Sequence, residues 1–431
     1  MADPAKLQSS RNSETNPLCL ETETAWDSLF TGRIDDSLVN LTIGAPGPSI
    51  LSSLPSLFLS ASSHRLTTNL GSLFQYGPEV GIRQYRVELA KFLTRRYADK
   101  VVEDELVLTC GATNGLHLVI SCLVKQGGTV FVEDPTYFIA LSLLSGDMGL
   151  RVVPIRMGDE GMDMEHLAEM VAKEASRNVG CVGSESNRFW GLIYTIPTFH
   201  NPTGITFSRQ TGSRLVQIAR QSGLLVFCDD VYNLLPYQQL DFPRLKSLDT
   251  SDQGTVISNG TFSKILAPGV RLGWLEAPTH LVKRLTQCGV LQSGGSQNNY
   301  VSGIVTSLLE LGLVDQHLDN CIKTYTERMN SAMEVLEAGL PQGWTVRHPH
   351  GGYFMWVVGD RGDLNNFCEW LEKEKGVVVL LGSKASPFTY MGEEVGGNMG
   401  HCFRLSIAFY DVDKIVEGCK VLCDAVKEFF P

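Results

Sequence analysis

Five short apolar runs follow one another through the middle of the chain: 129–133 (TVFVE), 151–155 (RVVPI), 191–196 (GLIYTI), 224–228 (LLVFC) and 255–258 (TVIS). None shows the polar alternation of a strand with one face in water, and helical spacing fills most of the gaps, for example at 164–176 and 208–222. Strands buried on both faces and separated by helices predict an α/β fold built on a mainly parallel sheet. Ligands in such sheets collect outside the carboxyl ends of the strands.

Polar insertions gather at those ends. Glu133-Asp134-Pro135-Thr136-Tyr137 closes one strand, Pro197-Thr198-Phe199-His200-Asn201-Pro202-Thr203-Gly204 follows another, and Cys228-Asp229-Asp230-Val231-Tyr232 ends a third. The next strand runs into Asn259-Gly260-Thr261-Phe262-Ser263-Lys264-Ile265-Leu266-Ala267-Pro268-Gly269-Val270-Arg271. A lysine in a small-residue turn beside a buried sheet is partly desolvated, which lowers its pKa and frees a neutral amine for Schiff-base chemistry. The hydroxyls of Thr261 and Ser263 and the guanidinium of Arg271 suit a phosphate, and a Schiff-base lysine beside a phosphate site is what pyridoxal phosphate requires.

A second anion site is expected where strand 105–109 meets Cys110-Gly111-Ala112-Thr113-Asn114-Gly115 and then a buried helix over 116–124, because free amides and the positive helix end face the loop. This is not the Gly-x-Gly-x-x-Gly of a dinucleotide fold, since only Gly111 and Gly115 are available. Further upstream, Leu41-Thr42-Ile43-Gly44-Ala45-Pro46-Gly47-Pro48 gives a short strand breaking into a turn where backbone approaches a ligand closely.

The net charge of -11 argues against nucleic acid or an anionic membrane surface as a partner. Eleven cysteines, an odd number without a Cys-x-x-Cys pair and mostly within apolar runs, read as buried thiols of a reducing compartment. The first 25 residues fit neither a secretory signal nor a transit peptide, and no apolar run reaches membrane-spanning length, so the expected location is cytoplasmic. The expected organisation is a flexible arm at 1–35, a segment at 36–65 at the mouth of the site, a large cofactor-binding domain at 66–300, a linking helix at 301–340 and a small α+β domain at 341–431.

Together, and in this order, these motifs make the chain from Leu41 onward resemble the fold type I pyridoxal-phosphate aminotransferases of class I/II, in the branch of the 2-aminoadipate and kynurenine aminotransferases and the catalytic domains of MocR-like regulators. The resemblance implies a mainly parallel seven-stranded sheet in the large domain. It makes Lys264 the Schiff-base lysine and proton carrier, Asp229 the partner of the pyridine nitrogen, and Asn201 and Tyr232 the pair on the phenolic oxygen. Asp230 stands beside Asp229, and the Asp-x-x-Tyr spacing to Tyr232 favours Asp229. Tyr137 is similar to the ring that stacks on the pyridine, and Ala112, Thr113, Thr261, Ser263 and Arg271 match the phosphate positions. Family members often carry Ser where this chain has Ala112. Tyr76 resembles the tyrosine that reaches a neighbouring subunit's phosphate, which implies a homodimer. Arg404 matches the arginine that clamps the substrate α-carboxylate, with Asn201 and Gly44 beside the substrate. Phe74, Tyr353, Phe354 and the 383–390 loop are further candidates for the pocket.

The expected activity is transfer of an amino group from an α-amino acid, of 2-aminoadipate or aromatic type, to a 2-oxo acid such as 2-oxoglutarate. A β-eliminating or C–S lyase shares the same cofactor site and differs in its products. A non-catalytic regulator would carry an N-terminal DNA-binding domain, for which the roughly 35 residues before Leu41 are too few and too acidic.

Overall fold

The computed structural model describes residues 37–68, 71–177, 188–238, 243–250, 254–295, 297–360, 364–392 and 399–430. The expected arm at 1–35, Cys19, Cys181, Ser296 and Asp363 lie outside the described residues. In chain order the strands are β1 (Val39–Asn40), β2 (Leu106–Thr109), β3 (Val124–Asp134), β4 (Arg151–Gly158), β5 (Gly161–Met162), β6 (Phe189–Thr195), β7 (Leu225–Asp229), β8 (Val256–Thr261), β9 (Gly273–Glu276), β10 (Thr345–Val346), β11 (Phe354–Val358), β12 (Val377–Val378), β13 (Leu380–Leu381) and β14 (Cys402–Ser406).

The large sheet has the order β2-β9-β8-β7-β6-β3-β4-β5. β4, β3, β6, β7 and β8 pair in parallel, and β9 runs antiparallel between β8 and β2. The two-residue β5 is only the return of a hairpin on β4, which leaves the seven strands that the resemblance implies.

Burial explains the absent alternation. Val130, Val132, Leu192, Tyr194, Leu225 and Phe227 belong to one apolar core, while their chain neighbours Phe131, Ile193, Val226 and Cys228 belong to a second core. Successive side chains of a strand point to opposite faces, so both faces of this sheet are dry. Helices Met164–Arg177 and Arg209–Ser222 cover the second face, supplying Leu167, Val171, Leu215 and Val216. The latter helix starts at Ser208, whose side chain accepts from the Thr211 amide at 3.1 Å, and stops at Gly223 with φ +65°.

The second sheet is antiparallel, ordered β10-β11-β14-β13. β1 pairs in parallel with β12, so the segment before the first helix belongs beside the C-terminal residues. The tract from Asn299 through Leu340 reads in the sequence as helical with an interruption near Gly312, and it forms two helices, Asn299–Glu310 and Leu313–Gly339, broken at Gly312 with φ +69°. The apolar run Val377-Val378-Val379-Leu380 reads as one strand, and it splits: Val377–Val378 joins β1, and Leu380–Leu381 joins β14.

One difference matters for the site. The helix expected from Leu116 begins at Ala112, because Gly111 adopts φ +89° and turns the chain directly out of β2. Ala112, Thr113 and Asn114 are therefore the first helical turn.

Candidate active site

Lys264 lies in the turn that follows β8, with Phe262, Ile265 and Leu266 buried around it. The turn is closed by the Phe262 amide on Leu272 O at 3.0 Å and the Leu266 amide on Phe262 O at 2.8 Å. These anchors leave the lysine stem directed toward the upstream strap, where Nζ donates to Gly44 O at 2.7 Å. Its main-chain oxygen accepts from Tyr353 Oη at 2.6 Å, and the rings of Tyr232 and Tyr353 stand 5.9 and 5.8 Å from Nζ. Burial, helped by the Arg404 charge and opposed by Asp229, lowers the amine to about 8. A lysine so placed is partly neutral near physiological pH.

Asp229 ends β7, and the β7–β8 register sets it opposite Asn259. Tyr194 Oη donates to Oδ2 at 2.8 Å and Asn259 Nδ2 to Oδ1 at 3.0 Å. Burial raises the carboxyl to about 6, against the pull of those two hydrogen bonds. Burial raises the Asp230 carboxyl too, but its side chain meets different partners. It accepts from Ser258 Oγ and feels Arg244 and Glu276, which pair with each other away from the lysine. The neighbouring acids thus have separate surroundings.

Tyr137 and Tyr232 close the same space: both feel the charges of Asp229 and Arg404. Burial pushes the Tyr137 phenol up to about 12 and raises that of Tyr232 as well. Tyr232 also packs edge-on against Tyr353 and Phe354, at 5.4 and 5.6 Å.

Arg404, on β14, donates from Nη1 to Asn201 Oδ1 at 2.8 Å and from Nη2 to Thr42 O at 2.6 Å, and its guanidinium lies 4.1 Å from the Phe354 ring centroid. Among the described residues no carboxylate pairs with it, and its buried Nε has no hydrogen-bond partner. Burial pulls its pKa down to about 10. A desolvated arginine with a spare donor and no counter-ion is built to receive a carboxylate. Three successive carbonyls of one strap, those of Thr42, Ile43 and Gly44, accept from Arg404, Ser406 and Lys264 at 2.6, 2.7 and 2.7 Å.

The expected phosphate residues converge where β8, the Arg271 turn and the helix start meet. Thr261 Oγ1 accepts from the Ser263 amide at 3.1 Å, and Arg271 Nη1 reaches Ser263 Oγ at 3.4 Å and Pro268 O at 3.1 Å. Arg271 Nη2 bonds Cys110 O at 3.4 Å, and a Cβ at Gly111 would stand 3.0 Å from that nitrogen. No side chain caps the helix that begins at Ala112, so its first amides stay available. Hydroxyls, guanidinium and helix amides around one point are a donor set for a phosphate dianion, and together with the nearby Lys264 amine they would fit pyridoxal phosphate. The Thr113 side chain is exposed, and Tyr76, 80% exposed, is not brought to the cluster within this chain.

The supports of Asp229 were not foreseen. Tyr194 gave no signal, because its role depends on the β6–β7 register. Asn259 sat within the quoted lysine stretch, and its nearness to Asp229 follows from two parallel strands ending together.

A mainly parallel sheet with a depressed lysine beyond one strand, a carboxylate ending the next and an anion cradle at a helix start defines a pyridoxal-phosphate enzyme of fold type I. The chain belongs to the aminotransferases of class I and II, whose family profile matches residues 37–422. It is 29% identical to aromatic-amino-acid aminotransferase 1 of Thermococcus litoralis over 84% of this chain and 82% of that one. It is 27% identical to the 2-aminoadipate transaminase of Thermus thermophilus over 89% of each. The fold is similar to that of a Pyrococcus horikoshii kynurenine aminotransferase crystallised with PMP, with TM-score 0.81, 27% identity and 96% of both chains covered. The protein is a pyridoxal-phosphate-dependent transaminase acting on amino acids.

Proposed function

We propose that the enzyme transfers the amino group of an aromatic or 2-aminoadipate-type α-amino acid to a 2-oxo acid such as 2-oxoglutarate, with Lys264 carrying the proton. The named substrates of its relatives support this donor class. Bound pyridoxal phosphate supplies an electron sink for the pair released at the substrate Cα. Thr261, Ser263, Arg271 and the amides at Ala112 and Thr113 hold its phosphate. Asp229 presents its carboxylate to the ring nitrogen, kept in place by Tyr194 and Asn259. Asn201 and Tyr232 face the phenolic oxygen, and Tyr137 covers the ring.

Arg404 grips the α-carboxylate through two parallel N–H groups, which fixes how Cα is presented. Lys264 Nζ, neutral in part near pH 8, would take the Cα proton and, reprotonated by it, would be the donor that hands it on to the cofactor's C4′ carbon. Gly44 O steadies the amine between those events. The exposed Tyr76, beside Gly294 and near the exposed Phe74 and Tyr300, supports a homodimer in which it reaches the partner's phosphate. No helix among the described residues is long and apolar enough to cross a membrane, and the cytoplasmic reading rests on the sequence.

The observation that carries this reading is the strap whose Thr42 and Gly44 carbonyls hold Arg404 and Lys264, with no carboxylate among the described residues paired with the arginine. Incubating the purified protein with candidate donors and 2-oxoglutarate tests it. Formation of glutamate with the matching 2-oxo acid supports transamination, whereas ammonia with pyruvate or a thiol means a lyase.

A further inference from the structure

Tyr353 is fully buried at the entry to β11, and its hydroxyl crosses to the lysine turn to donate to Lys264 O at 2.6 Å. Among the described residues no backbone amide donates to that oxygen. Tyr325 Oη, from the Leu313–Gly339 helix, lies 3.4 Å from Tyr353 Oη. Two glycines let the tyrosine come this close. A Cβ at Gly352, where φ is +75°, would stand 2.7 Å from Phe199 Cβ, and one at Gly351 would overlap the Phe199 ring.

The same strand pair carries the arginine. Ile407 N donates to Tyr353 O at 3.0 Å, Phe354 pairs with Ser406, and Trp356 pairs with Arg404. An antiparallel ladder is stiff over three residues, so Tyr353 and Arg404 move together. Lys264 lies in the turn after β8 of the other sheet; the Thr42–Gly44 strap ties its amine to Arg404 and Ser406, and the Tyr353 hydroxyl ties its main chain directly to the start of β11.

We propose that Tyr353 is a positioning residue: it pins the Lys264 main chain to the β11–β14 pair, so that the proton-carrying amine and the carboxylate-binding guanidinium of Arg404 keep one fixed spacing. This rests on the roles given above to Lys264 and Arg404. Without the hydroxyl the ring still walls the amine, but the turn is free to shift relative to the bound carboxylate. Small misplacement of a reacting group slows chemistry more than it weakens binding.

The test is Tyr353→Phe in the full chain, with Tyr85→Phe as control, a buried hydroxyl donating to Gly273 O at 3.5 Å. For Tyr353→Phe, kcat should fall about tenfold while KM stays within about twofold of wild type. The combination with Arg404→Lys should lose less than the product of the two single losses, because both disturb the same spacing. A second readout does not depend on turnover. In protein freed of cofactor, acetic anhydride at pH 8 should acylate Lys264 at least about threefold faster in Tyr353→Phe, the difference expected when a local restraint is lost. Tyr85→Phe should match wild type in each assay. Wild-type kcat in Tyr353→Phe, unchanged acylation, or strictly multiplicative losses with Arg404→Lys would each overturn the proposal. Should the wild type transaminate nothing, the functional reading fails instead, and the acylation rates still decide whether the hydroxyl restrains Lys264.

Discussion

Tyr194 and Asp229 stand on neighbouring parallel strands, and the phenol of the first donates to Oδ2 of the second at 2.8 Å while Asn259 holds Oδ1 at 3.0 Å. Burial alone would leave this acid protonated near neutrality. Two donors aimed at the ionised form bring it down to about 6, where it carries charge at working pH.

That compromise has a cost in the cofactor-free protein. The folded-state value lies above the ordinary carboxyl value of 3.8, so the protonated form favours folding below 3.8, and that advantage is lost as pH rises through about 6. Asp229→Asn should therefore raise apo-protein stability at pH 7.5 by about 1–2 kcal/mol, with no gain below pH 4. It should also cut turnover by about a hundredfold or more, if the carboxylate serves the ring nitrogen. Asp230→Ala, whose acid faces Ser258, should harm kcat less; thermal melts at both pH values and steady-state rates check the pair.

The Lys264 amine should titrate near 8 in apo-protein, against 10.5 for an ordinary lysine. Arg404 lowers it and Asp229 raises it, so Arg404→Gln should move the midpoint up and Asp229→Asn should move it down. The pH dependence of its acylation, followed by mass spectrometry, measures each shift. A common midpoint for all three proteins would mean that neither charge reaches the amine.

Arg404→Ala should lower kcat/KM for α-amino acids about a hundredfold or more, because a bidentate charge-assisted contact is lost and Asn201 loses its donor. Cofactor absorbance should persist, since no phosphate ligand changes. A variant that keeps kcat/KM would assign the guanidinium to structure alone.

Gly111→Ala forces φ +89° on a residue with a Cβ and sets that carbon 3.0 Å from Arg271 Nη2. Cofactor release, followed by dialysis and absorbance, should speed up about tenfold or more, since a left-handed backbone with a side chain costs about 1–2 kcal/mol. Gly127→Ala, also at a positive φ of +66° but with nothing within 4 Å of the added carbon, lies away from the cradle and should keep its cofactor.

The buried strands and the polar ends of β3, β6, β7 and β8 were legible because period and burial are local properties. So was the lysine turn, whose small residues and apolar neighbours are adjacent in sequence. Register was not. It decides that Asp229 meets Tyr194 while Asp230 meets Ser258, and strand pairing supplies that information. Tyr353 reaches Lys264 across 89 residues because two glycines admit Phe199, a fit that only packed coordinates display. The split of 377–381 between two partners follows from the return of residues 39–40 to the C-terminal side.

The central claim is a covalent one, and reducing the holoenzyme with borohydride before digestion and mass spectrometry tests it most directly. A pyridoxyl group found on Lys264 alone is the predicted result. The same group on another lysine, with Lys264 unmodified, would contradict it.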